Sequence, residues 1–208
     1  MIITVPPPTA LTDVSRQGDT AGAFTHIYEP DCQLAVWRRP LSAALVDYAA
    51  SLSLQDHQIN VRELLSADTV TDTLCGRLPD LPGRDDFVAD VQQLAEMFVC
   101  LFELRRVGLR LASLQTAMCP RFHVDKVPCR LVTTYAGPGT HWLNPAQRNR
   151  LLDEGGREPE QWQQLVAGEV ALLKGDGWQD NEGRGLWHRS PPVPTGYRRL
   201  FLSLDVAE

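Results

Sequence analysis

Residues 185–205 read GLWHRSPPVPTGYRRLFLSLD, and the reading of this stretch decides what kind of fold the chain builds. LWHRS (186–190) has the pattern of a short strand. YRRLFLSLD (197–205) alternates at the period of two expected of a half-buried strand. The intervening PPVPTG is a turn by its proline and glycine content. A strand, a tight return and an antiparallel strand would bring one arginine of the Arg198–Arg199 pair back beside His188. Adjacent strand residues point to opposite faces, so only one of the two can do so.

The same grammar extends through the second half of the chain. LRLASLQTAM (109–118), RLVTTY (130–135), THWL (140–143) and EVALLKG (169–175) are short apolar or alternating runs. AGPG, a helical insert near 145–165 and the glycine-rich GDGWQDNEGRG separate them. Many short strands between Gly/Pro turns predict a sandwich or barrel. The first half differs. QLAVWRR (33–39) fits a strand, Pro40 opens an amphipathic helix over 41–53, and HQINVREL (57–64) fits either state. GRLPDLPGRDD (76–86) reads as a loop, followed by a helix over 85–107 capped by Asp85 or Asp86. The expectation is one α+β domain with a loosely docked arm at 1–20, a mainly helical buttress at 21–108 and a β core at 109–208.

Composition narrows the function classes. The 208 residues are 43% hydrophobic and 22% charged, with a net charge of −6, which suits a globular protein and argues against a nucleic-acid surface. No run is long and apolar enough for a membrane span. The start, MIITVPPPTALTDVSRQGD, lacks the basic and apolar regions of a signal peptide. A cytoplasmic location is therefore expected. Five scattered cysteines without a CxxC read as reduced thiols. No G-x-S-x-G elbow is present, which removes the usual nucleophilic hydrolase reading.

The chemistry concentrates in CPRFHVDKVP (119–128). On an extended segment His123 and Asp125 share a face, which makes two thirds of the His/carboxylate/His set that holds ferrous iron. His188 is the candidate third ligand. A guanidinium returning beside it could take the far carboxylate of a dicarboxylate co-substrate. A zinc site from Cys119, His123 and Cys129, with Asp125 or His188 as fourth ligand, is the competing arrangement. Plainer readings stay open as well: His123 and Asp125 as turn caps, His188 as a hydrogen-bonded core histidine, and the arginines as a surface pair.

From residue 109 onward the order of elements resembles the double-stranded β-helix, or jelly roll, of the 2-oxoglutarate/Fe(II) dioxygenases, especially the prolyl hydroxylase branch. HVD, RLVTTY, GPGTHWL, AGEVALLKG and GLWHRSPPVPTGYRRLFLSLD carry that resemblance. It implies Fe(II) bound by His123, Asp125 and His188, and 2-oxoglutarate held by Arg198, with Tyr135 as a second contact. Hydroxylation of a small-molecule or protein substrate would follow. CPRFHVD, RLVTTYAGPGT and WHRSPP also resemble an uncharacterised bacterial domain family whose genes often lie beside zinc-responsive GTP-dependent metallochaperones. That resemblance implies a link to metal supply and a metallochaperone partner. The alternatives it leaves are a zinc-binding accessory protein and a non-catalytic protein with a degenerate oxygenase fold.

Overall fold

A computed structural model describes residues 14–54 and 58–207. Among the described residues ten strands form two sheets. The large sheet contains β1 (Ser15–Gly18), β2 (Leu34–Trp37), β3 (Asn60–Leu65), β4 (Arg106–Leu114), β5 (Cys129–Ala136), β8 (Val170–Lys174) and β10 (Arg199–Ala207). Its order is β1-β2-β8-β5-β10-β4-β3, antiparallel throughout except for the parallel β1–β2 pair. The small sheet, ordered β7-β6-β9, contains β6 (His141–Trp142), β7 (Gln163–Gln164) and β9 (His188–Arg189).

Strand β10 sits between β4 and β5, and its alternation sorts the molecule into layers. Leu200, Leu202 and Leu204 enter the main core, while Phe201 enters a second apolar cluster on the opposite face. Helices α1 (Ala43–Leu54), α2 (Val70–Cys75) and α3 (Arg84–Phe102) supply the main core from one side. Phe87, Val91, Leu94 and Phe98 recur at helical spacing and make the buried stripe of α3. On the other face Trp142, Leu165 and Leu186, in and beside the small sheet, meet Leu34, Val132, Ala171 and Phe201 of the large one. The layers are therefore helix, large sheet, small sheet.

Several expectations change. Helix α3 stops at Phe102, because Glu103 turns left-handed (φ 52°) and its N–H bonds the Val99 and Cys100 carbonyls. Residues 106–114 instead pair with β10 and β3, so tertiary hydrogen bonding overrides the continuing apolar pattern. Gly83, not Asp85 or Asp86, occupies the N-cap; the two aspartates lie in the first turn, where the helix dipole favours them. The expected arm is an edge strand over 15–18, and residues 1–13 lie outside the described residues. The first half supplies both edges of the large sheet as well as the helices. The 145–165 insert is a short helix, α4 (Pro145–Asp153), started by a capping box between Asn144 and Gln147, followed by β7. Among the described residues no helix is long and apolar enough to cross a membrane.

Leu202 is 0% exposed on the core face, whereas Leu64, on the edge strand β3, is 49% exposed. Leu202→Ala should cost about 2–5 kcal/mol in urea unfolding and Leu64→Ala less than about 0.5 kcal/mol. Similar losses for both would contradict the layering.

Candidate metal centre

Strand β9 and the segment before β5 are joined by one antiparallel bridge. His123 N–H donates to the His188 carbonyl (3.0 Å) and His188 N–H donates to the His123 carbonyl (2.9 Å). The prolines at 120 and 128 keep the rest of 119–128 out of the ladder. Its course is set instead by the loop after β8. Asp176 N–H donates to the Asp125 carbonyl and Gly175 N–H to the Pro128 carbonyl, both at 2.9 Å. A Cβ at Gly175 would strike the Val127 and Asp125 carbonyls, and one at Gly185 would strike the Val124 side chain. Glycine is needed at both positions for this close approach.

The result brings His123, Asp125 and His188 together, with one ligand atom from each lying within 4.8 Å of the others. His123 Nε2 is 3.8 Å from Asp125 Oδ1, and His188 Nε2 is 3.3 Å from Asp125 Oδ2. Each ring also places Nδ1 3.0 Å from a backbone carbonyl two residues earlier, Arg121 for His123 and Leu186 for His188. A carbonyl can only accept, so both Nδ1 atoms carry the proton and both Nε2 lone pairs face the carboxylate. Asp125 Oδ2 is buried without a hydrogen bond of good geometry. Arg130 lies 2.8 Å from it, but aligns its Nη1–H on Oδ1 (2.9 Å). Lone pairs of both imidazoles converging on a carboxylate that Arg130 holds from one side are a donor set that could take a divalent cation.

The electrostatics agree. Burial works to raise the Asp125 carboxyl, but in the metal-free site a protonated His188, with Arg130 and His123, outweighs it and holds the group below its ordinary range. Burial, with the neighbouring His188, lowers the His123 imidazole and favours its neutral, ligating form. Arg130 anchors the carboxylate from behind, its other side paired with Asp205 directly across the strands.

Beside the cluster, in the same cavity, lies the guanidinium of Arg199. It is 1% exposed. Nη1 donates to Ser190 Oγ (3.1 Å), and Nη2 to Thr134 Oγ1 (3.0 Å) and Thr140 Oγ1 (2.9 Å). Its Cζ lies 4.3 Å from the centroid of the Phe201 ring, and its Nε is buried without a partner among the described residues. No carboxylate pairs with it among the described residues, and burial lowers its pKa to about 9. A buried cation held only by hydroxyls is a receptor for an anion.

Arg198, expected to face inward, is half-buried outside the strand, and the Gln115 amide oxygen can accept from its Nη2 at 2.7 Å. The alternation of Leu200, Leu202 and Leu204 into the core puts Arg199 on the site face, and that signal was present in the sequence. Tyr135 is also on the other face: its hydroxyl donates to Asp90 Oδ2 (2.6 Å) beneath the helices, in a network with Arg39. The thiolate zinc arrangement fails for a similar reason. Cys129 opens β5 pointing into the main core, where burial drives its thiol upward, and exposed Cys119 stands outside the cluster. No local pattern singles out Arg130, Thr134, Thr140 or Ser190, because these side chains acquire their roles here only through long-range pairing.

A family profile described as "Protein of unknown function (DUF1826)" matches residues 18–205. No curated protein matches the sequence. Among solved structures, a rice dioxygenase for auxin oxidation is 15% identical, covering 92% of this chain and 81% of that one with a TM-score of 0.49. A putative oxygenase from Shewanella oneidensis is 13% identical, covering 92% and 88%, TM-score 0.49. A Pseudomonas putida prolyl-4-hydroxylase is 12% identical, covering 90% and 98%, TM-score 0.47. At these values the likeness says nothing of reaction or substrate.

One neighbour of the cavity titrates usefully. His141, on β6, accepts from Arg189 Nε through Nδ1 (3.3 Å), and burial with the charges of Arg189 and Arg199 lowers it from 6.5 to about 4. Between those values the unfolded chain binds a proton that the folded chain refuses. Stability present above pH 6.5 is therefore lost as pH falls toward about 4, by up to ~3 kcal/mol. Urea unfolding at about pH 7 and about pH 4.5 should show this loss in the parent and a smaller one in His141→Gln. An equal drop in both would refute it.

Proposed function

The chain belongs to the DUF1826 family, whose description carries no reaction, and from the site itself we propose a non-haem Fe(II)/2-oxoglutarate-dependent oxygenase. In this reading His123, Asp125 and His188 hold ferrous iron, Arg199 receives the far carboxylate of 2-oxoglutarate, and the two facing sheets are the walls of a double-stranded β-helix. The observation that carries it is that both imidazoles of the converging ligand set line one cavity with a buried guanidinium that pairs with no acid among the described residues.

Iron would supply O2 activation, with two electrons coming from the decarboxylation of 2-oxoglutarate to succinate and CO2, which takes one oxygen atom, and two from a substrate C–H, which becomes C–OH with the other. The protein's residues position the reactants. The Nδ1–carbonyl bonds fix both imidazole planes and tautomers. Arg130 fixes the carboxylate, leaving Oδ2 for the metal. Thr134, Thr140 and Ser190 hold the Arg199 fork so that little side-chain freedom remains to be lost on binding. Phe201 and the apolar cluster beneath exclude water and strengthen the ion pair. The enclosed cavity is only about 30 Å³, room for one or two waters. Binding the diacid therefore requires this cavity to widen.

Adding 2-oxoglutarate to the oxygen-free, Fe(II)-loaded protein should give a weak visible charge-transfer band. Asp125→Ala should abolish metal retention or weaken it by orders of magnitude, while Cys119→Ser with Cys129→Ser should leave it largely intact. Arg199→Gln should weaken 2-oxoglutarate binding by about 2–5 kcal/mol, Arg199→Lys by less, and Arg198→Gln hardly at all. Retention of zinc in preference to iron, with no response to 2-oxoglutarate, would replace this reading with the zinc-accessory one.

A further inference from the structure

The small sheet does not cover the whole site face of the large one. Its apolar contacts reach β2, β8, β5 and β10, with Leu114 at the end of β4. Among the described residues nothing covers the rest of β4 and β3 on this face, and a groove of about 590 Å³ lies there. Register places Arg62 of β3 opposite Arg110 of β4, Arg110 opposite Ser203 of β10, and Gly108 opposite Asp205. Residues directly opposite share a face, so both arginines rise over a floor of small residues, Gly108 and Ser203. At one end Met118, Cys119 and Arg130 line both this groove and the cavity of His123, His188 and Arg199. The groove runs up to the wall of the metal centre.

Its charges are unevenly satisfied. Asp205 is taken by Arg130, and Glu63 by Arg77. Arg62 and Arg110 make no ion pair among the described residues, and Arg110 Nε is buried without a hydrogen-bond partner. Two like charges facing each other on neighbouring strands repel, and here they do so in a chain whose net charge is −6. An oxyanion between the two forks would satisfy both and remove that repulsion.

We propose that this groove binds the oxygen-accepting substrate as a small molecule carrying a carboxylate or phosphate, gripped by Arg62 and Arg110. Its reacting C–H would extend past Met118 toward His123, Asp125 and His188. As a substrate groove this rests on the oxygenase reading; as an anion site it is testable without any metal.

Cys119, exposed at the junction, reports occupancy, and exposed Cys100 on α3 serves as the internal control. The metal-free full chain is alkylated with iodoacetamide at constant ionic strength in rising inorganic phosphate or citrate, with each thiol followed by peptide mass spectrometry. Either anion should slow Cys119 and leave Cys100 unchanged; phosphate alone points to a phosphate-bearing substrate, citrate alone to a carboxylate, and both to an oxyanion held without discrimination. R62Q/R110Q should raise the half-protecting concentration about tenfold or more, R62K/R110K should largely keep the protection, and R199Q should not remove it. No protection, protection indifferent to R62Q/R110Q, or protection lost only in R199Q would overturn the groove. If iron and 2-oxoglutarate fail to bind the parent while this protection stands, the oxygenase reading falls and the anion site survives.

Discussion

The alternation of side chains along β10 is the constraint on which the rest of the molecule depends. One strand, hydrogen-bonded on both sides, serves two interiors at once. Its leucines meet the helices, while Arg199, Phe201 and Asp205 meet the site and its approaches. A register slip by one residue would put the guanidinium among the leucines and a leucine among Thr134, Thr140 and Ser190. The apolar core and the polar cavity therefore hold each other in register.

The site is assembled from opposed electrostatic demands in close quarters. Asp125 is drawn toward ionisation by its neighbours, whereas Arg199 is held only by neutral hydroxyls and an aromatic face. Burying an unpaired cation is unfavourable, and the main core supplies the stability that tolerates it. Such local conflict inside an otherwise consistent fold is where function is expected to reside.

Much of this architecture was legible in the sequence, and the failures have physical causes. β4, β5, β8 and β10 announce themselves through apolar or alternating runs, and HVD and His188 are drawn together as their strand context suggests. β1 escaped because SRQG carries no apolar alternation; its strand character comes from backbone pairing to β2. The end of α3 was misplaced because the apolar pattern continues past Glu103 into a strand. The place of Arg198 two residues after Gly196 favours it in the sequence, although the alternation of Leu200, Leu202 and Leu204 indicates Arg199. Tyr135 shares the face of Cys129 and Leu131, a parity that proximity to the HVD segment concealed. The hydroxyl cradle of Arg199 joins residues 134, 140 and 190, and no local pattern encodes such a meeting.

The attachment of the 119–128 segment has a dynamic corollary. Its backbone is tied to the body by the pair at His123, by Ser190 N–H to the Cys119 carbonyl, and by the two bonds from Gly175 and Asp176. His188 and Arg199 belong to paired strands, while His123 and Asp125 ride on this strap. Free energies of opening track such local tethering, so release of these bonds, of the Asp125–Arg130 pair and of Phe122 from Leu143 and Leu151 would free the strap while the sheets stay paired. Two of the three ligands would then leave together. In the iron reading, the hold on a metal would then rest on a short stretch of chain as well as on the stability of the whole fold.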